Sequence, residues 1–295
     1  MSGALNHPGI IVGVDGSRTS DAAVDWAAHD ASTRNVALTV VHVSPAVSVN
    51  WSLTPAPAQL ATWQVAEAKQ ILADAVTIAE KATGTDGRLQ IDTQSFVAVT
   101  VPTLVDLTKD AAMIVVGSRG SGAFGRALMG SVSSGLVRHA HCPVAVVHDE
   151  DPLKTPAVHS PVLVGIDGSP TSELATGIAF DEASRRGVDL VALHAWSDWG
   201  GYDVPGVDMS GLEQQAQEVL AERLAGWQER YPDVGVRRVV VCGQPARWLV
   251  EESEKAQLVV VGSHGRGGFA GMLLGSVGSA VLQSATTPVI IARQP

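Results

Sequence analysis

A chain of 295 residues exceeds the roughly 100–200 residues of a usual single domain, so its length predicts two domains. The composition, with 45% hydrophobic and 17% charged residues, is that of folded globular proteins and argues against intrinsic disorder. The formal net charge of -10 repels polyanions, and no local basic stripe offsets it, which argues against nucleic-acid binding.

The first half of the chain alternates short β-branched runs with alanine-rich amphipathic stretches. The β-branched runs are typical of buried strands, and the amphipathic stretches are long enough for crossover helices. This alternation predicts parallel strands joined by right-handed crossovers. The predicted strands are residues 10–14, 38–43, 91–97, 113–116 and 144–147, and the predicted helices are residues 21–33, 59–82, 103–110 and 132–140.

The second half repeats the first. The segment IIVGVDGS at 10–17 returns as VLVGIDGS at 162–169, so that Asp15 corresponds to Asp167. A longer segment, IVVGSRGSGAFGRALMGSVSSGLV, begins at Ile114 and returns from Val259 as VVVGSHGRGGFAGMLLGSVGSAVL. An internal repeat of this size indicates a duplicated domain.

The boundary between the copies is predicted at DEDPLKTPAVHS, residues 149–160, because its prolines and charges suit an exposed linker. We therefore predict a first domain at 1–150, a linker at 151–160 and a second domain at 161–295. Each domain is predicted to be a doubly wound α/β sheet, in which ligands bind outside the carboxyl ends of the strands. The predicted helices of the second domain are residues 172–186, 212–231, 246–255 and 277–284.

A glycine-rich loop with the spacing G-x2-G-x9-G-S follows the fourth strand of each domain. Glycine permits positive φ and lacks Cβ, so backbone N–H groups can approach an anion closely. The last glycine and the serine open a helix whose N-terminus favours phosphate. The alternative, glycines that serve loop flexibility alone, stays open. The loop residues are Gly117, Gly120, Gly130 and Ser131 in the first domain and Gly262, Gly265, Gly275 and Ser276 in the second.

Asp15 and Asp167 follow the first strand of each domain, at the edge where this fold places ligands. A carboxylate there can accept hydrogen bonds from ribose hydroxyls or from an amino group. The alternative is that Asp-Gly-Ser makes a turn and caps the next helix.

The charged residues of the glycine loops do not match between the domains. They are either phosphate partners or ordinary solvated charges, and their mismatch predicts that the two sites differ in affinity. They are Arg119 and Arg126 in the first loop and His264 and Arg266 in the second.

Other motifs fit less well. The G-x-G-x-x-G run from Gly120 follows the fourth strand and not the first, and no Asp or Glu lies between Gly125 and His148, so it does not match a dinucleotide fingerprint. A P-loop would need a lysine before Ser131, where Gly130 stands.

No catalytic residue and no metal site are predicted. His42, His194 and the cluster His139, His141 and Cys142 are expected to be structural, and Trp51, Trp63, Trp196 and Trp199 to cover the core or an interface.

Two cysteines, Cys142 and Cys242, are too few for a disulfide framework. No signal peptide and no apolar run of about 20 residues is found. These features predict a soluble protein of the reducing cytoplasm.

The VGVDGS and VGIDGS strand ends, the VVGSRG and VVGSHG segments and the paired G-x2-G-x9-G-S loops resemble the universal stress protein family, in its tandem-domain, ATP-binding branch. The resemblance implies five-stranded parallel sheets of order 3-2-1-4-5. It implies ATP, with Mg²⁺ as an accompanying ion, and a homodimer paired through the closing strands. The residues implied to hold ATP are Asp15, Val41, Gly117, Gly120, Gly130, Ser131 and Val132, then Asp167, Leu193, Gly262, Gly265, Gly275, Ser276 and Val277.

Two functions remain open for such a chain. One is a regulator of the stress, dormancy or growth response, in which the ATP-bound state is the signal to protein partners. The other is a slow ATP hydrolase or phosphotransferase. No kinase-type catalytic loop and no dedicated lysine occur, so the sequence favours the regulator.

Overall fold

The computed structural model describes residues 9–45, 57–84, 89–120, 129–148, 159–196, 209–266 and 273–293. The chain divides into two compact units, residues 1–149 and residues 150–294. The finer division at a 151–160 linker stays a prediction, because residues 149–158 lie outside the described ranges.

The first unit is a parallel sheet with helices between consecutive strands. Its five strands, numbered along the chain, lie in the order 3-2-1-4-5, which confirms the predicted order. A single 3-10 turn, Thr108–Asp110, extends the third helix. The elements are β1 Ile10–Val14, α1 Arg18–Arg34, β2 Leu38–Ser44, α2 Pro57–Thr83, β3 Ile91–Val97, α3 Thr100–Leu107, β4 Met113–Gly117, α4 Ser131–His139 and β5 Val144–Val147.

The second unit repeats this topology, with its five strands again in the order 3-2-1-4-5 and parallel pairing throughout. Its elements are β6 Val162–Gly165, α5 Pro170–Arg186, β7 Leu190–Ala195, α6 Met209–Arg230, β8 Val236–Val241, α7 Pro245–Ser253, β9 Leu258–Gly262, α8 Ser276–Ser284 and β10 Val289–Ala292. No helix in the described part of the chain is both long and apolar enough to cross a membrane.

The core of each unit lies along its central strands. In the central strands β4 and β9, every residue before the final glycine is buried, as parallel strands covered on both faces require. The interpretation of β3 as a buried strand was wrong, since Asp92 to Ser95 are exposed. Among the described strands, β3 pairs with β2 alone, and its DTQS sequence is polar enough to face water.

The first helix of each unit begins at a serine cap. The Ser17 side chain accepts a hydrogen bond from the backbone N–H of Ser20, and Ser169 does the same for Ser172. α1 therefore starts three residues before the position that periodicity alone predicts, because capping satisfies a first-turn N–H that would otherwise lack a partner.

Each of these helices also carries a buried ion pair near its end. In α1, Arg34 Nε donates to Asp30 Oδ2 at 2.8 Å, and in α5, Arg186 Nε donates to Glu182 Oε2 at 2.9 Å. The acid side chains are 1% and 0% exposed, so the arginine offsets part of the cost of taking each carboxylate charge out of water.

Candidate functional site

A cavity opens at the carboxyl end of the strands in the first unit. Its volume is about 230 Å³. It lies where β1 separates β2 on one side from β4 on the other, which is the switch point at which doubly wound sheets bind ligands. Every residue predicted for the first site lines this cavity: Asp15, Val41, Gly117, Gly120, Gly130, Ser131 and Val132.

The second unit has a cavity at the equivalent place, with a volume of about 770 Å³. That value falls in the usual range for small-molecule sites, roughly 300–1,000 Å³. Every residue predicted for the second site lines it: Asp167, Leu193, Gly262, Gly265, Gly275, Ser276 and Val277.

The aspartate at the end of the first strand has a turn role that the sequence left as an alternative. Asp15 Oδ1 accepts from the N–H of Ser17 at 3.1 Å and from its hydroxyl at 2.6 Å. In the second unit, Asp167 Oδ1 accepts from Ser169 N at 2.9 Å, and Oδ2 accepts from Arg266 N at 3.2 Å. The turn therefore holds each carboxylate in place at the cavity wall.

The second glycine of the loop gives this carboxylate room. A Cβ at Gly120 would lie 2.6 Å from Asp15 Oδ2, and a Cβ at Gly265 would lie 2.6 Å from Asp167 Oδ2. Neither glycine has a positive φ. The requirement for glycine here is thus one of space beside the aspartate and not of backbone conformation.

Replacing Gly120 by alanine should move the Asp15 carboxylate away from Ser17. We expect the free energy of unfolding to fall by about 1–2 kcal/mol, because hydrogen bonds to a charged group are weakened. In an Asp15→Ala background, Gly120→Ala should have little further effect, since the clashing oxygen is gone. Denaturant unfolding of the four proteins measures this coupling. An equal loss in both backgrounds would show that the methyl group meets something else.

The helix that follows each glycine loop begins without a side-chain cap. Gly130 is the N-cap of α4 and Gly275 is the N-cap of α8, and neither position has a side chain that could accept from the first-turn N–H groups. The Ser131 and Ser276 side chains, the first of each helix, are exposed and line the cavities. An uncapped helix N-terminus and a hydroxyl donor at a cavity wall suit an anionic group.

The sequence model of the universal stress protein family matches residues 9–148 and again residues 159–293. This chain belongs to the universal stress protein family.

A relative of this universal stress protein is the universal stress protein Rv2005c from Mycobacterium tuberculosis. The two are 57% identical over 294 residues, which cover 100% of each chain. Among solved structures, a universal stress protein from Archaeoglobus fulgidus covers 97% of this chain and 98% of that one, at 20% identity and a TM-score of 0.71, so the fold is shared. Another universal stress protein structure from Archaeoglobus fulgidus, in complex with dAMP, is 26% identical and covers 48% of this chain and 98% of that one, with a TM-score of 0.36.

The first glycine of each loop of this universal stress protein packs against the first helix. A Cβ at Gly117 would lie 2.7 Å from the carbonyl carbon of Thr19, and a Cβ at Gly262 would lie 2.7 Å from Thr171 Oγ1. The Thr19 hydroxyl also donates to the carbonyl of Arg119 at 2.5 Å. The start of α1 is thereby tied to the loop after β4.

These threonines were missed in the sequence. The Thr171 hydroxyl donates to the carbonyl of His264 at 2.5 Å, just as the Thr19 hydroxyl donates to the carbonyl of Arg119 in the first unit. The signal that could have found them was their recurrence two residues after Ser17 and Ser169, just beyond the repeated segments 10–17 and 162–169.

The two strand-end histidines hold the first strand of each unit. Since a carbonyl can only accept, His42 Nδ1 donates to Val14 O at 2.9 Å and His194 Nδ1 donates to Ile166 O at 2.7 Å. Burial lowers the pKa of His194, and the nearby Arg266 and Arg223 lower it further. These bonds give both histidines a structural role.

The cluster at the end of α4 offers no reactive thiolate. Burial raises the pKa of Cys142 to about 12, so this thiol stays protonated at neutral pH. The backbone N–H of His141 donates to Thr108 Oγ1 at 2.9 Å. His139 is the last residue of α4 and is exposed.

The charges of the two glycine loops are placed differently. Arg266 Nε donates to the backbone carbonyl of Asp167, so this arginine folds over the carboxylate turn. Arg119 lines the first cavity and His264 the second. Arg126 lies outside the described residues.

Two further residues, Trp196 and Gln244, line the second cavity and were not predicted to do so. Trp196 had been expected to cover the core or an interface. Nothing in the local sequence indicates this placement, because it depends on β7 and β8 being neighbours. Of the other tryptophans in that group, Trp63 is 60% exposed, and Trp51 and Trp199 lie outside the described residues.

Proposed function

We propose that each half of this universal stress protein binds one ATP, and that the chain regulates a stress, dormancy or growth response through its nucleotide-bound state. The observation that carries the proposal is the uncapped N-terminus of α4, and of α8, at the wall of a cavity that also holds an anchored aspartate. The same arrangement occurs in both units.

In each cavity, the triphosphate, the ribose and the base of ATP meet different residues. The triphosphate lies at the helix N-terminus, where Ser131 and Val132, or Ser276 and Val277, present backbone N–H groups. Asp15 or Asp167 accepts from the ribose hydroxyls or the adenine amino group. The buried Val41 and Leu193, each 1% exposed, pack against the base.

Several contacts must act together for this binding to be tight. A helix N-terminus contributes about 0.3–2 kcal/mol to an anion, whereas micromolar affinity needs about 8 kcal/mol. The glycine loops add N–H groups beside each cavity, and Mg²⁺ would arrive bound to the phosphates. Among the residues with described positions, no group of three or more His, Cys, Asp or Glu could hold a metal ion by itself.

Replacing Asp15 by asparagine should weaken ATP binding at the first site alone, and Asp167→Asn should do so at the second. Asparagine keeps one acceptor oxygen for the turn but replaces the other with a donor. A hydrogen bond to a charged group contributes about 1.5–3 kcal/mol, so we expect roughly a tenfold to hundredfold loss at the altered site. Isothermal titration of the full chain measures both sites, with a stoichiometry of two ATP per chain for the unaltered protein.

Asp25→Asn is the matched control, because Asp25 lies on α1 and its side chain is 57% exposed. Unaltered ATP binding in both site variants would remove the aspartates from the proposal.

The nucleotide recovered from the protein after hours of incubation distinguishes the regulator from the ATP hydrolase. Intact ATP supports the regulator, whereas steady conversion to ADP supports the hydrolase. The homodimer and the regulatory protein partners stay predictions.

A further inference from the structure

The second cavity extends along a part of the sheet edge that the first cavity does not reach. Trp196 follows β7, three residues after Leu193, and Gln244 is the N-cap of α7. Both line the second cavity. The residues at the matching places of the first unit are Ser44 and Val99, which are described by the structure and do not line the first cavity.

The matching residues of the first unit have other surroundings. The Ser44 hydroxyl lies 3.1 Å from His42 Nε2, so its hydrogen-bond partner is a buried histidine of the same strand. Val99 is 70% exposed and caps α3 in an extended conformation, with φ -77° and ψ 117°. Neither residue has an aromatic ring that could stack on a base or an amide group that could pair with its edge.

Gln244 adopts a backbone conformation that usually favours glycine. Its φ is 44° and its ψ is 60°, and its carbonyl accepts from Arg247 N at 3.1 Å and from Trp248 N at 3.3 Å. A left-handed conformation is unfavourable for a residue with a Cβ, and strained residues of this kind cluster at ligand sites. A glutamine at such a position therefore suggests that its side chain is needed.

The strand order indicates which part of a nucleotide would meet this region. The glycine loop follows β9, Asp167 follows β6, and Trp196 and Gln244 follow β7 and β8. These strands are successive neighbours in the order β9-β6-β7-β8. A nucleotide with its phosphates at α8 and its ribose at Asp167 would extend its base towards Trp196 and Gln244.

We propose that Trp196 and Gln244 form a base-recognition subsite for adenine in the second unit, and that the first unit lacks this subsite. The inference rests on the proposed ATP binding and adds to it which residues select the base. It makes the second site the tighter and the more selective of the two.

The two side chains have different tasks in this subsite. The indole of Trp196 stacks on the base and contributes affinity for any base, because every base has a π-face. The Gln244 amide offers an NH2 group that can donate to N7 of adenine and a carbonyl oxygen that can accept from the N6 amino group. Guanine presents two acceptors, N7 and O6, on that edge, so one of the two bonds is lost.

The test exchanges each residue for its counterpart in the first unit. In the full chain, Trp196→Ser should weaken the tighter class of ATP sites about tenfold, and Gln244→Val should reduce the preference for ATP over GTP about tenfold at those sites. Inorganic tripolyphosphate has no base, so its affinity should stay within twofold in both variants. Gln214→Val, at an exposed glutamine on α6, is the control and should change nothing.

A further variant separates binding from folding. Gln244→Gly removes the amide but suits the left-handed backbone, so the thermal midpoint should stay the same or rise while the preference for ATP falls. A purely structural role of Gln244 would leave that preference intact.

The remaining outcomes are distinct. Failure of the unaltered chain to bind ATP overturns the proposed function. ATP binding that Trp196→Ser and Gln244→Val leave unaltered overturns only the subsite, as does a parallel loss of tripolyphosphate affinity. Equal affinity of the unaltered second site for GTP and ATP overturns the choice of adenine.

Discussion

Replacing Gly117 by alanine should lower the free energy of unfolding of the first unit by about 2–3 kcal/mol, as overpacking does in a tight contact. The new methyl carbon would lie 2.7 Å from the carbonyl carbon of Thr19 and 2.8 Å from its oxygen. These are backbone atoms in the first turn of α1, and they cannot rotate away as a side chain can. Relief would require β4 and α1 to move apart.

Denaturant unfolding of the full chain measures this loss, and hydrogen exchange of peptides from residues 9–45 and 162–196 assigns it to a unit. Gly262→Ala should destabilise the second unit in the same way, because its Cβ would lie 2.9 Å from the Thr171 carbonyl carbon. Gly226→Ala is the control, since nothing lies within 4 Å of the new Cβ and alanine favours the helix. An unfolding free energy unaffected by Gly117→Ala would contradict the packing.

This prediction changes how the first glycine of the motif is interpreted. The sequence pattern explains a glycine at position 117 by the close approach of a phosphate, whereas the structure shows that Gly117 packs closely against α1. Loss of nucleotide from a Gly117→Ala variant would therefore report on the shape of the site and would not by itself demonstrate a phosphate contact.

Replacing Arg186 by methionine should destabilise the second unit by about 3 kcal/mol. Glu182 is fully buried, and Arg186 Nε donates to it at 2.9 Å, so removing the arginine leaves a buried carboxylate without this partner. Arg186 also donates to Gln257 Oε1 at 3.3 Å, and that bond is lost as well. Thermal or denaturant unfolding of the full chain measures the effect.

The neighbouring Arg185 provides a matched control. It pairs with Asp181 at 3.0 Å, but the two side chains are 35% and 28% exposed. Arg185→Met should therefore cost no more than about 1 kcal/mol, as solvent-screened pairs do. Adding Glu182→Leu to Arg186→Met should restore most of the stability, because the buried charge is gone. A double variant no more stable than Arg186→Met would show that the loss comes from packing.

The elements with a clear periodic pattern could be predicted closely. β1, β3 and β5 have the predicted bounds, and α4 and α8 each begin one residue before their predicted starts. The segment predicted as a helix at 103–110 is α3, Thr100–Leu107, followed by the 3-10 turn. The predicted start of α3 was wrong because its N-cap residue, Val99, makes no side-chain hydrogen bond. The sequence therefore has no capping residue that would indicate where the helix begins.

The part of the candidate site that could be predicted is the part whose residues recur in both halves of the chain. The aspartates and the glycine loops recur in both halves, and a parallel α/β sheet brings strand ends to one edge, so their meeting at a cavity follows from the pattern. The part of the second cavity that Trp196 and Gln244 line was not predictable. Trp196 and Gln244 have no recurring counterparts, since Ser44 and Val99 occupy those places.

The sequence by itself determined the duplication, the order of strands and helices, and the edge at which a ligand would bind, because these depend on periodicity and on residues close along the chain. Tertiary structure alone decided which contact requires a glycine at positions 117 and 120. Gly120 makes room for Asp15, and Gly117 for Thr19. Contacts of this kind join residues some 100 positions apart, as Thr19 and Arg119 are, and arise only when β1 and β4 become neighbours.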